Sequence, residues 1–246
     1  MDKLAYIAMT GAKQIARAQA INSHNLANAN TTGFRADLHD VQATPVEGPG
    51  FATRVNAVVD SAGWSSAHGA LKTTGNPLDV AVSNGGWIAV QAPDGSEAYT
   101  KAGDLRVNAL GQLITGTQLP VLGDTGPVAV PPNSGMTIGA DGTISIIPLG
   151  QGAETAASVD RIKLVNPSAD QLAKGKDGLM RLVDGAEASA DASVSLTVGA
   201  LETSNVNVVG SMVSMIELAR QFELQVRMID TANDNAKASA SIMRMG

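Results

Sequence analysis

Three histidines, His24, His39 and His68, are the side chains best suited to hold a metal or shuttle a proton near neutral pH. No two of them stand four residues apart, and no glutamate completes a zinc-type arrangement. Each is therefore expected to pack or to face solvent. A serine nucleophile would sit in a Gly-x-Ser-x-Gly elbow; Gly63-Trp64-Ser65-Ser66-Ala67 comes nearest and lacks the closing glycine. Gly175-Lys176 could end a phosphate loop, but Asp170 stands where the opening glycine belongs. Asp141-Gly142 and Asp184-Gly185 lie in no calcium-loop pattern and read as turns. Asn30-Thr31-Thr32 has the form of a glycosylation acceptor and reads as a helix-terminating loop. The chain has no cysteine, which excludes disulfides, a thiol nucleophile and cysteine-based metal sites. The residues thus point to no catalytic centre, no metal site and no cofactor.

What these residues hang on is a chain of 246 residues, 44% hydrophobic but only 3% aromatic, with 26 glycines. That composition supports a core with many turns and small-residue packing more readily than an aromatic-lined pocket. The net charge of −6 argues against sequence-independent nucleic-acid binding. Residues 1–36 carry a net +3 and residues 206–246 a net of zero, leaving −9 on the middle. This pattern describes a solvated acidic body between near-neutral ends. No apolar run is long enough to span a membrane. The apolar opening Leu4-Ala5-Tyr6-Ile7-Ala8-Met9 is too short for a secretory leader, so no cleaved signal peptide is expected.

Both ends carry helical periods. Leu4, Ile7, Gly11, Gln14, Ala18, Ile21, Asn25 and Asn28 alternate steps of three and four, a heptad-like seam, and Asn28, Asn30 and Gly33 supply stop signals. At the other end, Val209, Met212, Ile216, Ala219, Phe222, Val226, Ile229, Asn233, Ala236, Ala240 and Met243 make a second seam. Two consecutive three-residue steps, from Ile216 through Ala219 to Phe222, predict a stammer that overwinds this helix locally. Ser204, Asn205 and Asn207 are candidate N-caps.

Between the ends the period changes to that of strands. Leu78, Val80 and Val82 alternate, and Ser83-Asn84-Gly85-Gly86 leads into Trp87-Ile88-Ala89-Val90 as a predicted hairpin. Short strands and turns continue through Val165. The expected fold is α+β: N- and C-terminal helices form a discontinuous coiled-coil domain around a mainly antiparallel β central domain. Its expected parts are a helix in 1–36, an extended connector over 37–68, the β domain over 69–190, a returning connector over 191–205 and a helix in 206–246.

The run Asn25-Leu26-Ala27-Asn28-Ala29-Asn30-Thr31-Thr32-Gly33-Phe34-Arg35 resembles the N-terminal signature of flagellar rod and hook proteins. Two further blocks agree. Leu78 through Gln91 with Ala98-Tyr99-Thr100-Lys101-Ala102-Gly103 looks like the family's central β segment, and Gly199 through Asn207 like the segment entering its C-terminal helix. Met1 through Tyr6 and Ala43 through Gly48 resemble one rod member more than its distal-rod relative. His24 departs from the usual asparagine of the family, and Trp87 from a common phenylalanine.

The resemblance implies a structural subunit of the axial rod, exported through the flagellar type III apparatus without a cleaved signal and assembled in the periplasm. It implies other rod subunits, further copies of the chain and the export apparatus as partners, with no nucleic acid and no membrane insertion. The residues expected to assemble are Leu4, Ile7, Ala18, Ile21, Asn25, Leu26, Asn28, Gly33 and Phe34 at one end. At the other they are Met212, Ile216, Phe222, Val226, Ile229 and Met243. Asn25 and Asn28 would either set helix register or cap a helix end. Two other classes compete. A cell-wall-active protein would need paired carboxylates in a cleft, and no pair is marked in the sequence. A free secreted β protein would have well-ordered helices as a monomer.

Overall fold

The computed structural model describes residues 4–45, 55–83, 85–151 and 155–244. The opening Met1-Asp2-Lys3, the end of the block that begins at Ala43 and the turn residue Asn84 lie outside them. The chain divides into two compact units: residues 1–29, 36–65 and 206–246 form the first, and 30–35 with 66–205 the second.

The first unit holds helix α1 (Leu4–Ala27), strands β1 (Asp37–Pro45) and β2 (Val55–Trp64), and helix α2 (Val208–Arg244). The helices run antiparallel. Asn22 Nδ2 donates to the Ser211 carbonyl at 2.7 Å, and a Cβ placed on Gly11 would lie 3.1 Å from the Gln225 side chain. Ala8, Ala12 and Ala18 are buried on α1, small side chains that let helices approach closely. At about 1.5 Å per residue the 24 residues of α1 extend roughly 36 Å and the 37 of α2 roughly 55 Å. The stop signals act as read, since α1 ends at Ala27 and Asn28 follows. Asn207 is the cap of α2: its Oδ1 accepts the Gly210 N–H at 3.0 Å.

Residues 37–64, within the stretch expected to be an extended connector, hold the antiparallel pair β1–β2. The register runs from Asp37 opposite Trp64 to Pro45 opposite Val55, with an irregularity between Leu38 and His39. Extended backbone is a sound reading of Pro- and Gly-rich sequence, but pairing is a tertiary event that such a sequence does not announce.

Among its described residues the second unit is built of strands, with a 3₁₀ turn at Ala169–Gln171. Its strands are β3 (Leu71–Thr73), β4 (Val80–Val82), β5 (Trp87–Gln91), β6 (Glu97–Thr100), β7 (Leu105–Val107), β8 (Leu113–Thr115), β9 (Asn133–Ile138), β10 (Thr143–Pro148), β11 (Ala157–Arg161), β12 (Leu164–Val165), β13 (Leu172–Lys174), β14 (Met180–Leu182), β15 (Leu196–Val198) and β16 (Ala200–Glu202). A five-stranded sheet has the order β12-β5-β6-β14-β13, a three-stranded one the order β11-β10-β9, and β15-β4, β16-β3 and β7-β8 form ribbons. Every pairing is antiparallel.

The predicted hairpin at 83–86 needs correction. A turn is there, with the Gly86 N–H donating to the Ser83 carbonyl at 3.2 Å, but β4 pairs with β15 and β5 with β6 and β12. The turn therefore passes the chain between sheets. The physical reason is burial: Val80, Ala81 and Val82 are all buried, as are Trp87 through Val90, so both strands are covered on two faces. Pro93-Asp94-Gly95 does close a hairpin, β5–β6. The core comprises Val80, Ile88, Val90, Leu105, Leu113, Val121, Val128, Ile144 and Ile162, joined by Val194 and Leu196 from the stretch expected to be a returning connector.

Candidate functional site

On α1, the residues expected to assemble are not equally free. Ala18 and Asn25 are buried, while Ile7, Ile21, Leu26 and Asn28 are half-buried; Leu4 opens the helix, and its side chain lies outside the described part. Asn25 is wholly engaged inside the unit. Its Nδ2 donates to the Asp37 carbonyl at 2.8 Å, and its Oδ1 accepts the Asp37 N–H at 2.8 Å. The side-chain amide thus pairs with the first residue of β1 as a neighbouring strand would. Beside it, His24 Nδ1 lies 2.8 Å from Asp37 Oδ2. Asn28 Nδ2 donates to the His24 carbonyl at 2.9 Å and so satisfies a backbone acceptor at the end of α1.

On α2, the line turned inward differs from the expected seam. Between Ser211 and Ala232 the shielded positions are Ser211, Met215, Leu218, Gln225, Ile229 and Ala232, and Phe222, 40% exposed, completes their register. These positions alternate steps of four and three without interruption, so the covered line contains no stammer. Met212 is 51% exposed, Ile216 56% and Met243 78%, with Val209, Val213 and Val226 also open. Apolar residues occupy two neighbouring stripes of α2. Packing selects the stripe carrying Ser211 and Gln225, because α1 offers Asn22 and Gly11 at those levels. The more apolar stripe is left as an open flank. Of the expected residues, Ile229 is shielded; Phe222 and Val226 are equally exposed at 40%, Phe222 alone sharing the register of the covered line; Met212, Ile216 and Met243 lie on the open flank.

Gly33 and Phe34 belong to the second unit, where they are buried. Gly33 has φ +67°, and a Cβ there would fall 2.3 Å from the Lys101 carbonyl carbon, so this position takes only glycine without rearrangement. Arg35, immediately after, enters a buried charge cluster. Its Nη2 stands 2.8 Å from Glu202 Oε1, with the two side chains 2% and 3% exposed. Glu202 Oε1 also accepts the Gly69 N–H at 2.9 Å, and the Glu202 carbonyl accepts the Gly33 N–H at 2.8 Å. Arg35 Nη1 donates to the Ala67 carbonyl, and Nη2 to His68 Nδ1 at 3.3 Å. Lys174 Nζ donates to the Arg35 carbonyl at 2.7 Å and sits 4.0 Å from the centre of the Phe34 ring.

A second cation completes the cluster. Lys101 is 1% exposed, its Nζ lies 4.0 Å from Glu202 Oε2, and it has no hydrogen-bond partner. The Trp87 ring faces both cations, with Arg35 Cζ 5.9 Å and Lys101 Nζ 5.2 Å from its centroid. Burial pushes the Lys101 ammonium down to about 8; Glu202 opposes that push and Arg35 reinforces it. Arg35, Trp87 with Lys101, and Glu202 come from the three separate sequence blocks that carry the family resemblance. Lys101 and Glu202 were not singled out as site residues from the sequence. Charged residues are ordinarily solvated, and nothing in linear spacing says that these two meet indoors.

A depression of about 720 Å³ in the second unit is lined by Asp170, Asp184, Glu187 and Asp191 among others. The Asp170 carboxyl is held below the usual range by the Ser168 hydroxyl, and that of Asp191 by the Ser193 N–H. Both are therefore carboxylates at neutral pH, whereas a general acid needs a raised value. Among the described residues no group of three or more histidines, acids or cysteines could hold a metal ion, and no helix is long and apolar enough to cross a membrane.

Three family models match in order along the chain: the flagella basal body rod protein model over residues 6–35, the flagellar hook protein FlgE/F/G D1 domain over 81–146, and the flagellar basal body rod FlgEFG protein C-terminal model over 197–242. The flagellar basal-body rod protein FlgF of Escherichia coli (strain K12) is 42% identical, with all of both chains aligned. That of Salmonella typhimurium is 41% identical, again over the whole of both chains. That of Caulobacter vibrioides is 31% identical over all of this chain and 99% of its own. Full-length likeness at these identities, with the three segments in order, shows that the chain belongs to the flagellar basal-body rod protein family, among its FlgF members.

Proposed function

We propose that this chain is a structural, non-catalytic subunit of the flagellar rod that assembles through the open apolar flank of its terminal helices and carries torque along the rod. The single observation that supports this most directly is the flank itself. Val209, Met212, Val213 and Ile216 lie exposed beside a line that α1 already covers. An apolar stripe of this length on a helix is expensive to leave in water, at about 25 cal/mol per Å². The occupants are the terminal helices of other rod subunits and of further copies of this chain. The protein reaches the periplasm through the flagellar export apparatus and orders its flank against neighbours as it docks. Gly33 and Phe34 act differently from the flank residues, by tying the signature segment into the β unit.

The test is a pair of substitutions on the flank, Met212→Asp and Ile216→Asp. The purified chain is expected to keep its helical circular dichroism and melting temperature, while cells become non-motile and their basal bodies lack the protein. Normal motility with the variant incorporated into basal bodies would overturn the reading.

A further inference from the structure

Residues 30–35 make a short visit to the second unit, since α1 before them and β1 after them both belong to the first. Within that visit, Arg35 is the ion-pair partner of a carboxylate that is 3% exposed. Withdrawing Arg35 from such a site ordinarily strands a buried charge, which makes undocking very unfavourable. Here a second cation waits. Lys101 Nζ is 4.0 Å from the other oxygen of the same carboxylate, and it makes no hydrogen bond.

We propose that Glu202 is served by alternative cations, Arg35 when residues 30–35 are docked and Lys101 when they lift away, so that this segment is a releasable clasp on the β unit. In the docked state Arg35 holds Glu202 Oε1 at 2.8 Å, and Lys101 sits over Trp87 at 4.0 Å from Oε2, a long ion pair without a hydrogen bond. On release, the guanidinium leaves with its segment and the Lys101 ammonium closes on Oε2. The carboxylate stays neutralised, and Trp87 keeps one of its two cations. The bonds that open are local: Gly33 N–H to the Glu202 carbonyl, Asn205 N–H to the Phe34 carbonyl, and Arg35 to Ala67 and His68. Lys174 loses the Arg35 carbonyl. Burial and Arg35 both depress the Lys101 ammonium, and release of the clasp removes the second of these. The charged groups facing Lys101 are Arg35 and Glu202, with His68 on the solvent side of the pair. Opening turns residues 30–35 from part of the β unit into a linker. Such a two-state element suits a chain that must order its parts separately.

Native-state amide hydrogen exchange on the full chain tests this. In the wild type, Gly33 is expected to exchange at least about tenfold faster than Ala89 and Leu113, whose N–H groups donate to Lys163 and Val128 within the β core. Lys101→Met removes the replacement cation and is expected to slow Gly33 by about tenfold relative to those two core amides. A ratio left unchanged, or moved the other way, overturns the proposal, as does a wild-type Gly33 exchanging no faster than the core. Arg35→Gln supplies an independent check by fixing the released pairing. The β unit should stay folded and the Lys101 ammonium should titrate about one pH unit or more higher, read from its side-chain carbon resonance. An unfolded β unit, or an unmoved Lys101, contradicts the exchange of partners.

Discussion

Lys101 and Asn25 show how much a single polar side chain can carry in this chain. An ammonium that is 1% exposed and lacks a hydrogen bond is a net cost to the folded state at neutral pH. Because its folded value is about 8 and its ordinary value 10.5, the unfolded chain binds more protons between those limits. Stability therefore rises with pH across that window. Burial raises Tyr99 to about 12, so above pH 10 its ionisation in the unfolded chain opposes the gain. Urea midpoints read from Trp87 fluorescence in a Trp64→Phe background are expected to climb between pH 8 and 10 when Lys101 is present. Lys101→Met should be flat there and more stable at pH 7 by about 1–3 kcal/mol. Asn25 has the opposite sign. Truncating it to alanine leaves the Asp37 N–H and carbonyl without their partner and should destabilise the helix–hairpin unit by about 1–3 kcal/mol, measured by denaturant unfolding.

At the scale of the element, α2 divides its apolar residues between two tasks. Leu218 lies on the line covered by α1, and Ile216 on the open flank. Leu218→Ala should weaken the helix pair by about 2 kcal/mol through lost packing. Ile216→Ala should change monomer stability by no more than about 0.5 kcal/mol, since most of its surface is already in water. Helical circular dichroism in urea separates the two, and equal effects would show that the flank is covered in the monomer. The uninterrupted spacing from Ser211 to Ala232 also removes the expected overwinding, because the covered residues need no consecutive three-residue steps.

For the molecule as a whole, the β unit is closed by sequence far outside its strand-rich middle. Val194 and Leu196 complete its core, and Glu202 and Arg35 meet across 167 positions of sequence. A fragment confined to residues 69–190 omits all four. It is expected to lack a cooperative urea transition, whereas a fragment of residues 30–205 should show one. A cooperative 69–190 fragment would mean that the charge cluster and β15–β16 are accessory to the fold. The folding of this unit is thus slow to nucleate in principle, because contacts of such sequence separation carry a large loop-closure entropy.

Much was legible in the residues alone. The two helices, their stop and cap signals and the antiparallel strand-rich middle follow from local periodicity and turn chemistry, which act over a few residues, and the family was legible as a resemblance in contiguous runs such as Asn25 through Arg35. Asn207 as a cap and Asn28 at the end of α1 are local in the same sense. Three features were decided only by tertiary structure: which stripe of α2 is covered, where the turn at 83–86 sends its strand, and that Asn25 binds β1. The Arg35–Glu202–Lys101 cluster belongs with them. Each depends on what a distant segment presents at the same place, and the choice rests on fit and charge between surfaces that no local pattern encodes.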